Sequence, residues 1–455
     1  MTDGKADMLH RFLTIGRIAL PLAGILLVAL QWWQNSQLMD EARSANELAR
    51  KAWTDHPPAF PLDTLAAALY IPAAVSPLGA FDAGDGPWLG QSLWLQLSKT
   101  SRAQDQIGYD VFPAGRQIGL SAAMFAQIAI PSLAVLLGWI QVRRKRSLSL
   151  QSWAALQISL IEYAGPTVAL SCLLTAALQS QALGLEGAIR LMLLLGSYVL
   201  YSLAAGSICW IAFHKSLNLP RSTGFLVLFW LCNFSLARPF TINLATALYP
   251  LPSLDQYARN LDFEVRNGYN GVEPESDRQR RFVNEALRDY NVQLPSELKV
   301  NLSAIIIERE ERHQREVGQH LKSSLEGQFL KQERLEQVFS LVLPLVAIQI
   351  SSSALAATDF ASEREQLLQA DAYWSQMVHK VYADVISSSG PDAKRVLRGA
   401  GYWRQFPFLE ARLPGPAAAL NACFLPALGL FFCALAGIII AFRSKSLPVG
   451  NQEIA

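Results

Sequence analysis

The sequence predicts an all-α polytopic membrane protein, six transmembrane helices with a mainly helical extracytoplasmic domain, and three observations predict it. Of the 455 residues, 51% are hydrophobic and 17% charged, against about 25% charged in an ordinary soluble domain; the mean hydropathy is +0.21. Six stretches hold roughly 20 or more mostly apolar residues, the length that crosses a hydrocarbon core. Basic residues gather in the short connections between them, where they hold a loop in the cytoplasm.

Residues 1–34 carry the first expected span, Thr14 to Gln34, behind Arg11 and Arg17. It is too long for a signal-peptide core and runs into "LQWWQNSQ" with no small-x-small cleavage site, so it reads as a retained anchor with Trp32 and Trp33 at the interface. Residues 35–117 form a first outside region, where "DHPPAFP" and "FDAGDGPWLG" flank the strand-like "SLWLQLS". Residues 118–249 hold four spans: Ile118 to Val142, Leu160 to Ser180, Ala188 to Phe213 and Gly224 to Tyr249. Residues 417–455 hold the last, Ala417 to Phe442, and a tail.

Residues 250–416 form a large outside region that reads as helical. "IIIEREERHQREVGQHLKSSLEGQFLKQERLEQVF" has no proline; Glu308/Arg312, Glu311/Arg315 and Lys322/Glu326 stand one turn apart, and Val317, Leu321, Leu325 and Phe329 make an apolar stripe. A second helix is expected over Phe360 to Ile386, before the break "SSSGPD".

The stretch Val338 to Phe360, "VFSLVLPLVAIQISSSALAATDF", is apolar enough to pass for a seventh span. With six spans, Lys5/Arg11/Arg17, Arg143 to Arg146, His214/Lys215/Arg221 and Arg443/Lys445 all fall inside; a seventh would put the last pair outside. Gln349 and Ser351 to Ser353 would also lie at membrane depth, where polar groups need partners. The stretch is therefore expected not to cross, and to pack within the outside domain or on the outer leaflet. The competing reading has the serines bonding back to their own helix in a true span.

The five cysteines, Cys172, Cys209, Cys232, Cys423 and Cys433, all fall in expected spans, so the outside regions hold no disulfide. His313 and His320, with Glu316 between them, could share a metal, but a solvated helix face is the expectation there. The chain has no phosphate loop, no H-E-x-x-H and no G-x-S-x-G. No catalytic role, cofactor or nucleic-acid partner is expected.

The order of features resembles that of ABC-2 type permeases: a first span, "FDAGDGPWLG" and "SLWLQLSKTS", then spans with "RLMLLLGSYVLYSLAAGSICWIAF", then "LPLVAIQISSSALAATDF" and a last span. The nearer likeness is to the branch with a large periplasmic helical insertion before the last helix, distantly related to the permease of the nitrous-oxide-reductase copper-maturation system. The resemblance implies a multi-pass permease subunit of the bacterial inner membrane, with both termini cytoplasmic and membrane lipid around it. It implies pairing with a second copy or a sister permease, and a separate cytoplasmic ATPase that binds ATP and Mg. A membrane-anchored sensor or scaffold is the alternative.

In that family the first cytoplasmic loop docks on the ATPase through an acidic Glu-x-Glu helix and a Gly-Thr-Leu; here the place reads "VRRKRSLSLQSWAALQIS", basic instead of acidic. Arg143, Arg144, Leu148, Trp153 and Leu156 are the docking candidates, and a purely topogenic basic loop is the other reading. Within the spans, Glu162, Asn233, Arg238 and Asn243 are the candidate intramembrane polar residues. They either pair structurally or line a wet path.

Overall fold

The structure is a computed structural model and describes residues 3–55, 69–72, 74, 76–84, 92–95, 121–144, 150–178, 180–215, 219–387, 406, 409 and 411–443. Its helices are α1 (Asp3–Asp55), α2 (Ala122–Arg144), α3 (Leu150–Leu178), α4 (Ser180–Lys215), α5 (Leu219–Cys232), α6 (Arg238–Leu248), α7 (Leu254–Asn267), α8 (Glu275–Asp289), α9 (Leu302–Phe339), α10 (Pro344–Ala356), α11 (Phe360–Ser387) and α12 (Pro416–Arg443). Two short strands, β1 (Leu69–Pro72) and β2 (Ser92–Leu95), pair antiparallel with Tyr70 opposite Trp94. The expected strand in "SLWLQLS" is β2, and Leu148 lies outside the described residues.

Among the described residues, seven helical stretches are long and apolar enough to cross a membrane: Thr14–Gln34, Ala122–Arg143, Leu150–Leu178, Gly184–Phe213, Leu219–Leu248, Pro344–Ser387 and Pro416–Arg443. Six of them lie where the sequence places spans. Leu150–Leu178 starts ten residues before the expected Leu160, because its polar first turns find partners inside the bundle: Trp210 donates to Ser152 at 3.4 Å and Gln157 to the Leu203 carbonyl at 3.3 Å. α5 and α6 form one span joined by a π-helical turn, Asn233–Ala237. Pro239 follows at once; its ring would press on the carbonyl four residues back in a regular helix, and the widened turn relieves that.

The seventh stretch is two helices. α10 has 13 residues and ends at Ala357 in the left-handed region (φ 52, ψ 43), so at 1.5 Å per residue it is roughly 20 Å long and falls short of a core of about 30 Å. It does not lie among the helices outside the bundle, as the sequence reading expects, but is buried inside the bundle between α4 and α12. The last turns of α9 follow α6, with Gln332 donating to the Tyr249 carbonyl at 2.7 Å and Phe339 edge-on to Phe240. The chain turns at Ser340 to Leu343 against Gly429, midway along α12, and α10 then runs back toward the start of α12. α9 and α10 are thus a helical hairpin whose tip is pushed halfway into the bundle.

Outside the bundle, α7 to α9 and α11 form a charged helical unit. α7 starts with a capping box, Ser253 and Gln256 each bonding the other's backbone N–H. The Arg278 side chain, 1% exposed, ties three helices together: it donates to Glu310 of α9 at 2.7 Å and to the Val265 carbonyl of α7 at 2.9 Å. Of the three ion pairs expected along α9, only Glu308–Arg312 forms. Lys322 instead pairs with Asp371, Glu326 with Arg364 at 3.6 Å, and Arg315 donates to Ser375 at 2.8 Å, all across to α11. Trp374, Met377, Val378, Val381 and Tyr382 make a second small core there.

Glu311 lies in the α9–α11 contact facing Tyr382, and burial pushes its carboxyl up from the ordinary 4.5 to about 7. A carboxyl raised on folding is protonated more readily folded than unfolded, so its contribution is full below about pH 4.5 and is lost as pH rises toward about pH 7. Hydrogen exchange across α9 and α11 is therefore expected to speed up between about pH 5 and about pH 8, beyond the intrinsic rate change. Glu311→Gln should flatten that excess; an unchanged profile in the variant would assign it elsewhere.

Candidate functional site

The functional geometry gathers at the end of α10, where a buried helix terminus has to satisfy its last four carbonyls without water. All four are satisfied. Ser353 O accepts from Thr358 N at 3.0 Å and Ala354 O from Ala357 N at 3.2 Å, the turn that left-handed Ala357 makes possible. Arg190 of α4, 5% exposed, donates to Ala354 O at 3.1 Å and Leu355 O at 3.2 Å, and its other terminal nitrogen bonds Pro414 O just before α12. Ser76 Oγ donates to Ala356 O. A cation at a helix C-terminus also meets the negative end of the helix dipole.

A second chain of bonds runs beside it. Gln127 of α2 donates to the Tyr198 hydroxyl of α4 at 3.3 Å; that hydroxyl stands 3.3 Å from both Ala123 O and Ser352 Oγ, and Ser352 donates to Asp82. The other Asp82 oxygen accepts from Gly84 N at 3.0 Å. Gly84 is at φ +48, and a Cβ there would stand 2.8 Å from the Thr358 carbonyl, so only glycine fits. Phe81 packs edge-on to Tyr198 at 5.6 Å and its carbonyl accepts from Ala123 N. Five pieces of chain therefore lock at one point: residues 76–84, α2, α4, the α10–α11 turn and the approach to α12.

Of the serines weighed in the sequence, Ser352 is a partner in this lock and Ser353 bonds back to Gln349 O at 3.0 Å. Ser351 Oγ has no hydrogen-bond partner among the described residues, although its carbonyl accepts from Cys423 Sγ at 3.6 Å. Arg190 was legible: an arginine in the expected span Ala188 to Phe213 is itself a signal. Asp82 was not, since it stands 270 residues from Ser352.

The docking candidates are placed differently from the expectation. Leu156 is fully buried, and Trp153 is packed on the core with its Nε1 donating to Ser207 at 3.2 Å. The apolar edge expected to face a partner is thus spent inside the bundle, because Ser207 and the small residues of α4 offer those side chains a closer home. Arg143 is exposed and stacked 3.9 Å over Trp139; Arg144 ends α2.

The intramembrane candidates do not form one cluster. Glu162 pairs with Arg17 of α1 at 2.7 Å, both half-exposed, and Arg17 also lies over the Tyr163 ring. Asn233 is buried; its amide donates to Phe229 O at 3.1 Å, while its Oδ1 has no partner among the described residues. Arg238 is half-buried and Asn243 is exposed. His320 bonds the Tyr269 hydroxyl, and no group of three or more metal-ligating side chains occurs among the described residues.

The fold and this lock define a multi-pass helical membrane protein with a charged helical unit joined to its bundle by an inserted hairpin. A family described as "Domain of unknown function (DUF3526)" matches residues 258–407, which include α8, α9, α10 and α11. No curated protein and no solved structure matches the chain.

Proposed function

We propose that this chain is the membrane-spanning permease subunit of an ABC-2 type transporter in a bacterial inner membrane. A separate cytoplasmic ATPase, carrying ATP and Mg, would drive it, and it would work beside a second copy or a sister permease. Both termini would be cytoplasmic, with six crossings and the α9–α10 hairpin re-entering from the periplasmic side. What supports this reading is one observation: the two stretches that carry the family resemblance, "FDAGDGPWLG" and "LPLVAIQISSSALAATDF", meet in the lock through Asp82–Ser352 and Gly84–Thr358. In a permease, such a joint would carry helix movement into the periplasmic unit, for export or for work done there.

The experiment is co-purification of the tagged chain with the phosphate-loop ATPase encoded beside it, with ATP turnover measured on the complex. A chain that binds no such ATPase is instead a membrane-anchored sensor or scaffold, the reading that the size of the extracytoplasmic unit favours. Sidedness has its own test in a background without the five cysteines. Gln376→Cys should react with an impermeant maleimide in whole cells, whereas Val342→Cys, exposed at the hairpin tip, should stay unreactive because lipid covers it. Protection of Gln376→Cys until lysis would reverse the topology.

A further inference from the structure

The strongest unassigned feature is a groove of about 660 Å³ between α2 and α5. Trp139 and Arg143 form one wall; Pro220, Thr223, Gly224 and Leu228 stand on the other. Its sides are apolar, since the Thr223 hydroxyl is already spent on the Leu219 carbonyl at 2.9 Å. A Cβ on Gly224 would meet nothing within 4 Å, so the groove is open where a chain could lie.

Charge says what fits. Arg143 stands at the mouth over the Trp139 ring, with no carboxylate partner among the described residues, and Arg221 is exposed one residue from Pro220. Arg144, Lys145 and Arg146 follow Arg143, and Lys215 precedes Arg221; no Asp or Glu occurs from residue 111 to 161 or from 187 to 254. The anion that balances this mouth has to come from outside both loops. A free phosphate would leave the apolar walls unused, and an uncharged lipid would leave the arginines unused.

We propose that this groove holds one anionic phospholipid, its phosphate at Arg143 and Arg221 and an acyl chain along Gly224 and Leu228. Basic pockets between membrane helices on the cytoplasmic side bind such headgroups by the same combination, and the aromatic ring at the mouth suits the interface.

The test is native mass spectrometry of the delipidated full-length protein, titrated with phosphatidylglycerol or with phosphatidylcholine of the same chains. One phosphatidylglycerol should bind about fivefold or more tightly than phosphatidylcholine, the preference expected from a juxtamembrane arginine. Arg143→Gln combined with Arg221→Gln should remove the preference while leaving weak binding of both lipids. Gly224→Trp should fill the groove and remove both. Equal affinity for the two lipids, parent-like binding by both variants, or displacement by millimolar inorganic phosphate would overturn the proposal. Disulfide-linked dimers of Gly224→Cys in native membranes would also overturn it, by giving the face to a second copy.

Discussion

Replacing Arg190 by Met is expected to be the most damaging single substitution in the bundle. Methionine fills similar space but donates nothing, so the buried Leu355 carbonyl and the half-buried Pro414 carbonyl lose the donor that holds them, and Ala354 O keeps only the Ala357 N–H. Removing one side of a buried charged hydrogen-bond set costs about 3 kcal/mol or more, a large share of a typical folding free energy of roughly 5–15 kcal/mol. The first consequence is local: the end of α10 is no longer held to α4 and to the approach to α12. Thermal unfolding in detergent should show a lowered midpoint, and limited proteolysis should open the chain near Ala357 before the bundle itself is cut. Arg190→Lys should recover part of the loss, because one ammonium can serve some of the carbonyls but lacks the guanidinium fork that reaches both sides. A Met variant that melts like the parent would mean that the lock contributes no stability.

The contrast between the spans and the lock shows what a sequence makes visible. A crossing helix declares itself by apolar length alone, which is why the stretch Thr14–Gln34 is recovered within α1. α10 is ambiguous in length, and its fate depends on two local signals: Pro344 at its first position, where a proline is tolerated, and a left-handed turn at Ala357 that no glycine advertises. Charge distribution argues against a crossing but cannot say which surface receives the helix. The same limit misplaces Trp153 and Leu156: helical spacing puts them on a shared face without saying whether that face meets a partner or the bundle. On α9, the i,i+4 spacing predicts Lys322–Glu326, yet α11 presents Asp371 and Arg364 at the same level, and the pairs form between helices instead. Contacts such as Asp82–Ser352 depend on which segments the fold brings together, and neither segment contains that information.

The hairpin tip should be equally sensitive, but to added bulk instead of lost bonding. Gly429 faces the turn so closely that a Cβ would stand 2.6 Å from the Ser340 carbonyl oxygen and 2.7 Å from the Leu341 Cα. Both are backbone atoms, so no side-chain rotation can make room, and Gly429→Ile must move either the turn or α12. Overpacking of this kind costs about 1–3 kcal/mol even where side chains can yield, and the upper end is expected here. Gly196→Ile is the matched control, because a Cβ there meets nothing within 4 Å in the same bundle. The displaced tip should pull α10 along its axis and strain the bonds from Arg190 and Ser352 at its far end. Gly429→Ile should therefore lower the thermal midpoint and also raise hydrogen exchange at Ala357 and Thr358, roughly 20 Å away by helix rise, while Gly196→Ile changes neither. If exchange rises only around Ser340 to Leu343, α10 bends and does not move as a rod, and movement at the tip is not carried to the lock.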